Sequence, residues 1–292
     1  MENMSQTVSQ YTLCLGGVVL HLESELPLRL EGRLPLFDSS GAGPQVQVQV
    51  RVMEEMPSAA WVAEDLLANY YWDGRHRWMA AKSGPREPLT VTEYTPDAGE
   101  MCMYVNEREH PGVVRTVNKV LQLLPTRIML LQRRRLLLHA SRVAVRGRAI
   151  LFTAPSGTGK STQARLWRET EGGVVLSNDR TLLRELDGGW SSEGYAIDGS
   201  DPVDNNTACP LGAIVVLRQG PENRVERLGP AKALKALMEQ SVLDVWDREQ
   251  LRAAQLLWLE LLSAVPVYLL CCRPDAEAVR CLKERLTKDG VL

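Results

Sequence analysis

In QVQVQVRV, residues 45–52, apolar and polar side chains alternate without a break, the period of a strand with one buried face. The earlier stretch YTLCLGGVVLHLE has strand composition broken at Gly16-Gly17, and DSSGAGP between the two reads as a loop. Residues 61–71, WVAEDLLANYY, carry apolar positions at helical spacing and predict a short helix. The following YYWDGRHRWMAA contains Asp73-Gly74, a two-residue hairpin signal. Residues 1–110 therefore read as a β-rich domain. Its stripe of Tyr70, Tyr71, Trp72 and Trp78 is either the core face of a small sheet or a ligand surface.

The period changes at Gly112. VVRTVNKVLQLLPTRIMLLQRR has apolar residues three and four apart, with a break at Pro125. This predicts a helical connector over 111–135, ending at the basic run Arg133–Arg135. LLLHASRVAVRGRAILFTAPSG then alternates into a hairpin turned at Arg146-Gly147, whose second strand runs into a glycine-rich loop. Beyond it come a helix from Lys160, a buried strand in GGVVLSNDR and a hairpin around Asp187-Gly188. The strand LGAIVVLRQ, the helices AKALKALMEQ and REQLRAAQLLWLELLSA, the strand VPVYLLCCR and the helix DAEAVRCLKERL complete the chain. Alternating strands and helices over 136–292 predict an α/β domain.

Composition narrows the classes. Of 292 residues, 45% are hydrophobic and 24% charged, as in a globular protein, and the net charge of −2 gives no basic field for nucleic acid. No apolar run is long enough to span a membrane, and the interrupted N-terminal run lacks the charged start of a signal peptide. The six cysteines form no C-x-x-C pair and no histidines stand at metal-ligand spacing, which argues against structural zinc and for a reducing cytoplasm. Adjacent Cys271 and Cys272 are expected as buried thiols on opposite faces of a strand.

The chemistry centres on APSGTGKS, Ala154 to Ser161, which fits the P-loop pattern with Ala at its first position. Gly157 and Gly159 can adopt φ > 0 and bring backbone N–H groups onto phosphate oxygens, and a helix opening at Lys160 adds its positive end. Lys160 supplies a point charge for the β- and γ-phosphates, and Ser161 a hydroxyl for Mg²⁺. Neither the N-K-x-D motif of GTPases nor an LSGGQ-like signature is present. Instead VVLSNDR places Asp179 nineteen residues after Lys160, at the end of the next apolar strand. If the two strands are neighbours they end on the same side, and Asp179 faces the phosphates. Arg218 and Arg224 are open to two readings, contact with nucleotide or transition-state charge and surface salt bridging.

The combination LLHASRVAV…LFTAPSGTGKST…VVLSNDRTLLR resembles the catalytic domain of HPr kinase/phosphorylase over residues 136–290. It is also similar to short HPr-kinase-like proteins found with peptide natural-product systems. The resemblance implies an HPr kinase/PEP carboxykinase-like P-loop domain using ATP and Mg²⁺. It assigns Ser156, Gly157, Thr158, Gly159, Lys160, Ser161 and Thr162 to the nucleotide, and Ser161 and Asp179 to the metal. His139 would sit beside the transferred phosphate, with Asp179 and Lys160 as its catalytic partners. The first carboxylate of the family's acidic pair falls on Asn178. Either Asp179 does both jobs, or Glu193, Asp198 or Asp201 supplies one, or binding survives without transfer.

The reading that results is a kinase passing a γ-phosphoryl group to a hydroxyl, a serine of a protein or precursor peptide. The alternatives are a nucleotide-binding peptide escort or switch, and a kinase for a small metabolite such as free serine. No nucleic-acid or membrane partner is expected, and a homo-oligomer is compatible with the sequence. The N-terminal domain, unlike that of the large HPr kinases, would suit peptide binding or dimerisation by strand addition.

Overall fold

The computed structural model describes residues 9–32, 34–37, 43–55, 61–64, 68–72, 77–83, 86–186, 188–195, 197, 206–244 and 246–292. The turn at Asp73-Gly74, most of the DSSGAGP loop, and Asp187, Asp198 and Asp201 lie outside them. The protein is mixed α/β and divides into two units. The first holds residues 1–133, 196–198 and 244–247; the second holds 134–195, 199–243 and 248–292.

In the first unit the strands are β1 (Ser9–Leu15), β2 (Val18–Ser24), β3 (Gln45–Val52), β4 (Trp61–Glu64), β5 (Ala68–Trp72), β6 (Arg77–Ser83), β7 (Arg86–Tyr94) and β8 (Glu100–Val105). They form one sheet in the order β1-β2-β3-β8-β7-β6-β5-β4. Gly16 and Gly17 both take positive φ, 57° and 72°, which lets a two-residue turn close β1 on β2 with the twist strands require. Along β3 the valines at 46, 48 and 50 are buried and the glutamines between them exposed, as the alternation predicts.

The helix expected over 61–71 is instead the antiparallel pair β4–β5, with Trp61 opposite Tyr71. The reason is the partner strand. β5 pairs with β6 from Ala68↔Ala81 to Trp72↔Arg77, and the aromatic run suits a pleated surface. Tyr70 is fully buried while Tyr71 is half-buried and Trp72 exposed, so the aromatic stripe is split between two faces. Trp78 stacks on Tyr104 with ring centroids 6.4 Å apart.

Two short helices, α1 (Val117–Leu123) and α2 (Thr126–Gln132), close this unit on either side of Pro125. Segment 244–247 completes it. Arg127 pairs with Asp244 at 2.6 Å, Arg77 pairs with Asp247, and the Trp246 ring lies 4.5 Å from that of Tyr70.

The second unit contains β9 (Leu136–Val145), β10 (Arg148–Thr153), α3 (Lys160–Glu171), β11 (Val174–Ser177), β12 (Arg180–Leu186), β13 (Gly189–Glu193), β14 (Cys209–Gln219), β15 (Arg224–Arg227), α4 (Pro230–Gln240), α5 (Arg248–Ala264), β16 (Val267–Cys272) and α6 (Ala276–Lys288). β10, β14 and β16 run parallel, while β9 is antiparallel to β10 and also pairs with β11 and β12. One sheet face carries Ile150, Phe152, Val215, Leu217, Tyr268 and Leu270 against Trp167 of α3 and Leu282 of α6. α4 and α5 pack on each other and on β9. Cys271 and Cys272 are half-buried rather than fully buried, because β16 has only the short β15 beyond it. Burial pushes the Cys272 thiol up to about 11.

Candidate active site

The strand–loop–helix turn at 153–160 has the backbone that its glycines allow. Gly157 has φ 77° and Gly159, the residue capping α3, has φ 114° and ψ 21°. Nothing lies within 4 Å of where a Cβ would sit on either, so the requirement is conformational rather than steric. Lys160, the first residue of α3, is buried, and its ammonium donates to the carbonyls of Ala154 at 3.0 Å and Pro155 at 3.5 Å. Burial lowers its pKa, and the charge of Asp179 opposes that shift. Ser156, Gly157 and Ser161 are exposed and Thr158 and Thr162 half-buried around it.

Asp179 reaches this loop by another route than the one expected. β11 and β10 are not neighbours: β9 lies between them, antiparallel to both. Two strands that are each antiparallel to a third run parallel to one another, so β10 and β11 still end on the same side. The intervening strand also brings His139. Its backbone pairs with Arg180, and its carbonyl accepts from the Thr153 hydroxyl at 2.8 Å. The Asp179 carbonyl accepts from the Ala140 N–H at 2.9 Å. These bonds hold the His139 ring nitrogen Nε2 3.3 Å from Asp179 Oδ1, with both side chains about one-third exposed. The His139 hydrogen bond holds the Asp179 carboxyl below the ordinary carboxylate range, helped by the charges of Arg180, His139 and Lys160 and opposed by burial.

His139, Ser156, Asp179 and Arg180 share a cavity of about 580 Å³ with Glu239 to Leu243, the end of α4 and the residues after it. This second wall is stitched to β9. The Val242 N–H donates to the Leu137 carbonyl at 2.9 Å, and Ser241 bridges to Leu138. The Ser241 hydroxyl accepts from the Trp258 indole at 2.9 Å and donates to the Leu237 carbonyl at 2.7 Å. Sequence spacing gave no sign of Glu239 or Ser241 as cavity residues, because their wall meets β9 about a hundred residues away in the chain.

Glu193 is not brought to the cavity. It lies buried on β13 and pairs with Arg184 Nε at 2.5 Å. Asn178 sits beside Asp179 with its carbonyl accepting from the Ser141 hydroxyl at 3.3 Å.

Two oxygen groups are of the kind a hard cation takes, the exposed Ser161 hydroxyl at the start of α3 and the Asp179 carboxylate that lines the cavity. Such an oxygen pair suits Mg²⁺, which takes one or two protein ligands and completes its shell with phosphate and water. Among the described residues no cluster of three His, Cys, Asp or Glu side chains could cage a metal alone. No helix of the described residues is long and apolar enough to cross a membrane.

The family model described as SynChlorMet cassette protein ScmC matches residues 102–274, more than half of the chain, from β8 through β16. No curated protein matches the sequence. Among solved structures, the Hpr(Ser) kinase/phosphatase from Coxiella burnetii aligns at 13% identity with a TM-score of 0.31, covering 53% of this chain and 98% of that one. A score that low carries no weight for fold or function.

Proposed function

The chain belongs to the ScmC family of SynChlorMet cassette proteins, and we propose that it is an ATP- and Mg²⁺-dependent kinase acting on a hydroxyl, a serine of a protein or precursor peptide. One observation carries the reading. Ser156 of the glycine-rich loop lines one cavity with the His139–Asp179 pair, and the charges of Lys160, on the same loop, and Asp179 act on each other.

In this reading the amides of Gly157 to Lys160 and the positive end of α3 take the phosphates. The Lys160 ammonium exchanges its carbonyl partners for phosphate oxygens. Mg²⁺, held by Ser161 and Asp179, would supply charge neutralisation on the phosphates. The acceptor hydroxyl enters the 580 Å³ cavity beside Asp179. Its oxygen bonds to the γ-phosphorus while the bond to the ADP oxygen breaks, and ADP leaves with the electron pair. The hydroxyl proton passes to Asp179. A carboxyl held below its usual range is a weak base, so Asp179 serves chiefly to align the acceptor. A loose, metaphosphate-like transfer asks for little more, because the proton becomes acidic only late. His139 fixes the carboxylate orientation.

The second reading, nucleotide binding without transfer, is favoured by Asn178, whose amide cannot accept a proton where the resembling family has an acid. Labelled ATP, serine peptides and free serine, with products followed by mass spectrometry, separate the readings. Label on an acceptor, lost in Asp179→Asn, is the expected result. Tight ATP binding with no transfer to any hydroxyl offered would sink the kinase and leave the escort.

A further inference from the structure

A second cavity, of about 380 Å³, lies between α4 and the edge of the sheet in the same unit. Its charged lining is uneven: Arg218, Arg224, Lys232 and Lys235 against Glu226 and Glu239. The register explains why the arginines converge. Arg218 of β14 and Arg224 of β15 both pair with Cys271 of β16, one on each side, so their side chains leave the same face. That is the face opposite the one packed on α3 and α6, which carries Val215 and Leu217. The lysines come from α4, where Lys232, Lys235 and Glu239 stand at helical spacing along one stripe.

Only one of the four cations has a carboxylate partner among the described residues, Lys232 with Glu226 at 3.7 Å. Arg218, Arg224 and Lys235 have none, and all three are exposed. Glu239 lines this groove and also the cavity of His139 and Asp179, so the two spaces adjoin at the end of α4. From Lys232 to Glu239 the helix rises about 10 Å, the length of about three extended residues.

We infer that this groove recognises acidic residues of the acceptor, placed two to four positions from the hydroxyl that enters the adjoining cavity. The inference rests on the kinase reading for its substrate, but the binding itself does not need transfer. Carboxylates of an extended segment along α4 would meet Arg218, Arg224 and Lys235, while Glu239 at the junction disfavours a charge directly beside the acceptor. The nucleotide phosphates have their own cation in Lys160 and their own amides at the strand ends, so the groove is not needed for them.

Fluorescein-labelled peptides with one serine and three glutamates on its N-terminal or C-terminal side, and their glutamine isosteres, would be titrated into the full chain by anisotropy. One glutamate peptide should bind about tenfold more tightly than its isostere at low salt, and added salt should erode the preference. The double variant Arg224→Glu/Lys235→Glu should lose that preference and favour the corresponding lysine peptide. Equal binding of glutamate and glutamine peptides, or a preference untouched by the double variant, overturns the inference. So does a variant whose ATP affinity falls while its peptide preference stays, because the groove would then serve nucleotide. Transfer is read separately. Selective binding without phosphorylation refutes the kinase and leaves the groove; phosphorylation without selectivity does the reverse.

Discussion

At the scale of single residues, the site turns on two charges, those of Lys160 and Asp179, that act on each other without an ion pair among the described residues. Lys160 is the charge proposed for the phosphates, and Lys160→Ala should lower nucleotide affinity and transfer at least about a hundredfold with an unchanged far-ultraviolet dichroism spectrum. Retained activity in that variant would count against the proposed site. Asp179 carries a pH signature. Its pKa is lower folded than unfolded, so its contribution to stability is present above the unfolded value, about 3.9, and is lost as pH falls through the folded value. Melting temperatures of wild type and Asp179→Asn should therefore converge below about pH 4 and separate above it. Parallel curves across the acid range would show that the carboxyl makes no net contribution. Residue identity was also the level most legible in the sequence. The positive φ of Gly157 and Gly159 and the helix start at Lys160 could be read directly because they depend on near neighbours in the chain. Glu193 could not be placed, because its structural role as the partner of Arg184 depends on the β12–β13 register.

At the scale of elements, the loop is a backbone device before it is a chemical one. Gly159→Ala puts a side chain at φ 114°, with open space around it. The cost is strain alone, about 1–3 kcal/mol, or relaxation of the loop. Either way nucleotide affinity should fall further than stability does, as calorimetry and a chemical denaturation curve run side by side would show. α3 is anchored by Trp167, fully buried and 6.3 Å from the Phe152 ring. Trp167→Ala should cost about 3–5 kcal/mol, read from the denaturation midpoint. A smaller loss would mean the core refills. Strand and helix periods made most elements of the second unit legible. They failed at 61–71, where eight apolar positions among eleven residues fit either period and the presence of β6 decides. They also could not reveal that β9 separates β10 from β11, since pairing order is not encoded in any one segment.

At the scale of the whole molecule, the first unit takes in a distant segment, residues 244–247, that packs on Tyr70, Arg77 and Arg127. Asp244 is almost fully buried and its partner Arg127 keeps 24% side-chain exposure. Arg127→Ala should cost roughly 3 kcal/mol, the low end for a buried pair because the arginine is partly wet. Asp244→Asn in the same chain should recover part of the loss in thermal melting. No recovery would mean that Arg127 acts through packing. Nothing in the spacing of the first hundred residues pointed to Asp244 or Asp247, since they follow α4 and precede α5.

The interleaving of the two units also bears on how the protein is made. Residues 244–247 belong to the unit built mainly from residues 1–133. A ribosome adding roughly 5–20 residues per second releases that closing segment several seconds or more after the eight strands that await it. The ion pairs of Arg127 with Asp244 and of Arg77 with Asp247 therefore cannot form on the nascent chain until most of the second unit has emerged. A polypeptide stopped at the apparent boundary would carry all eight strands but lack both of those buried pairs.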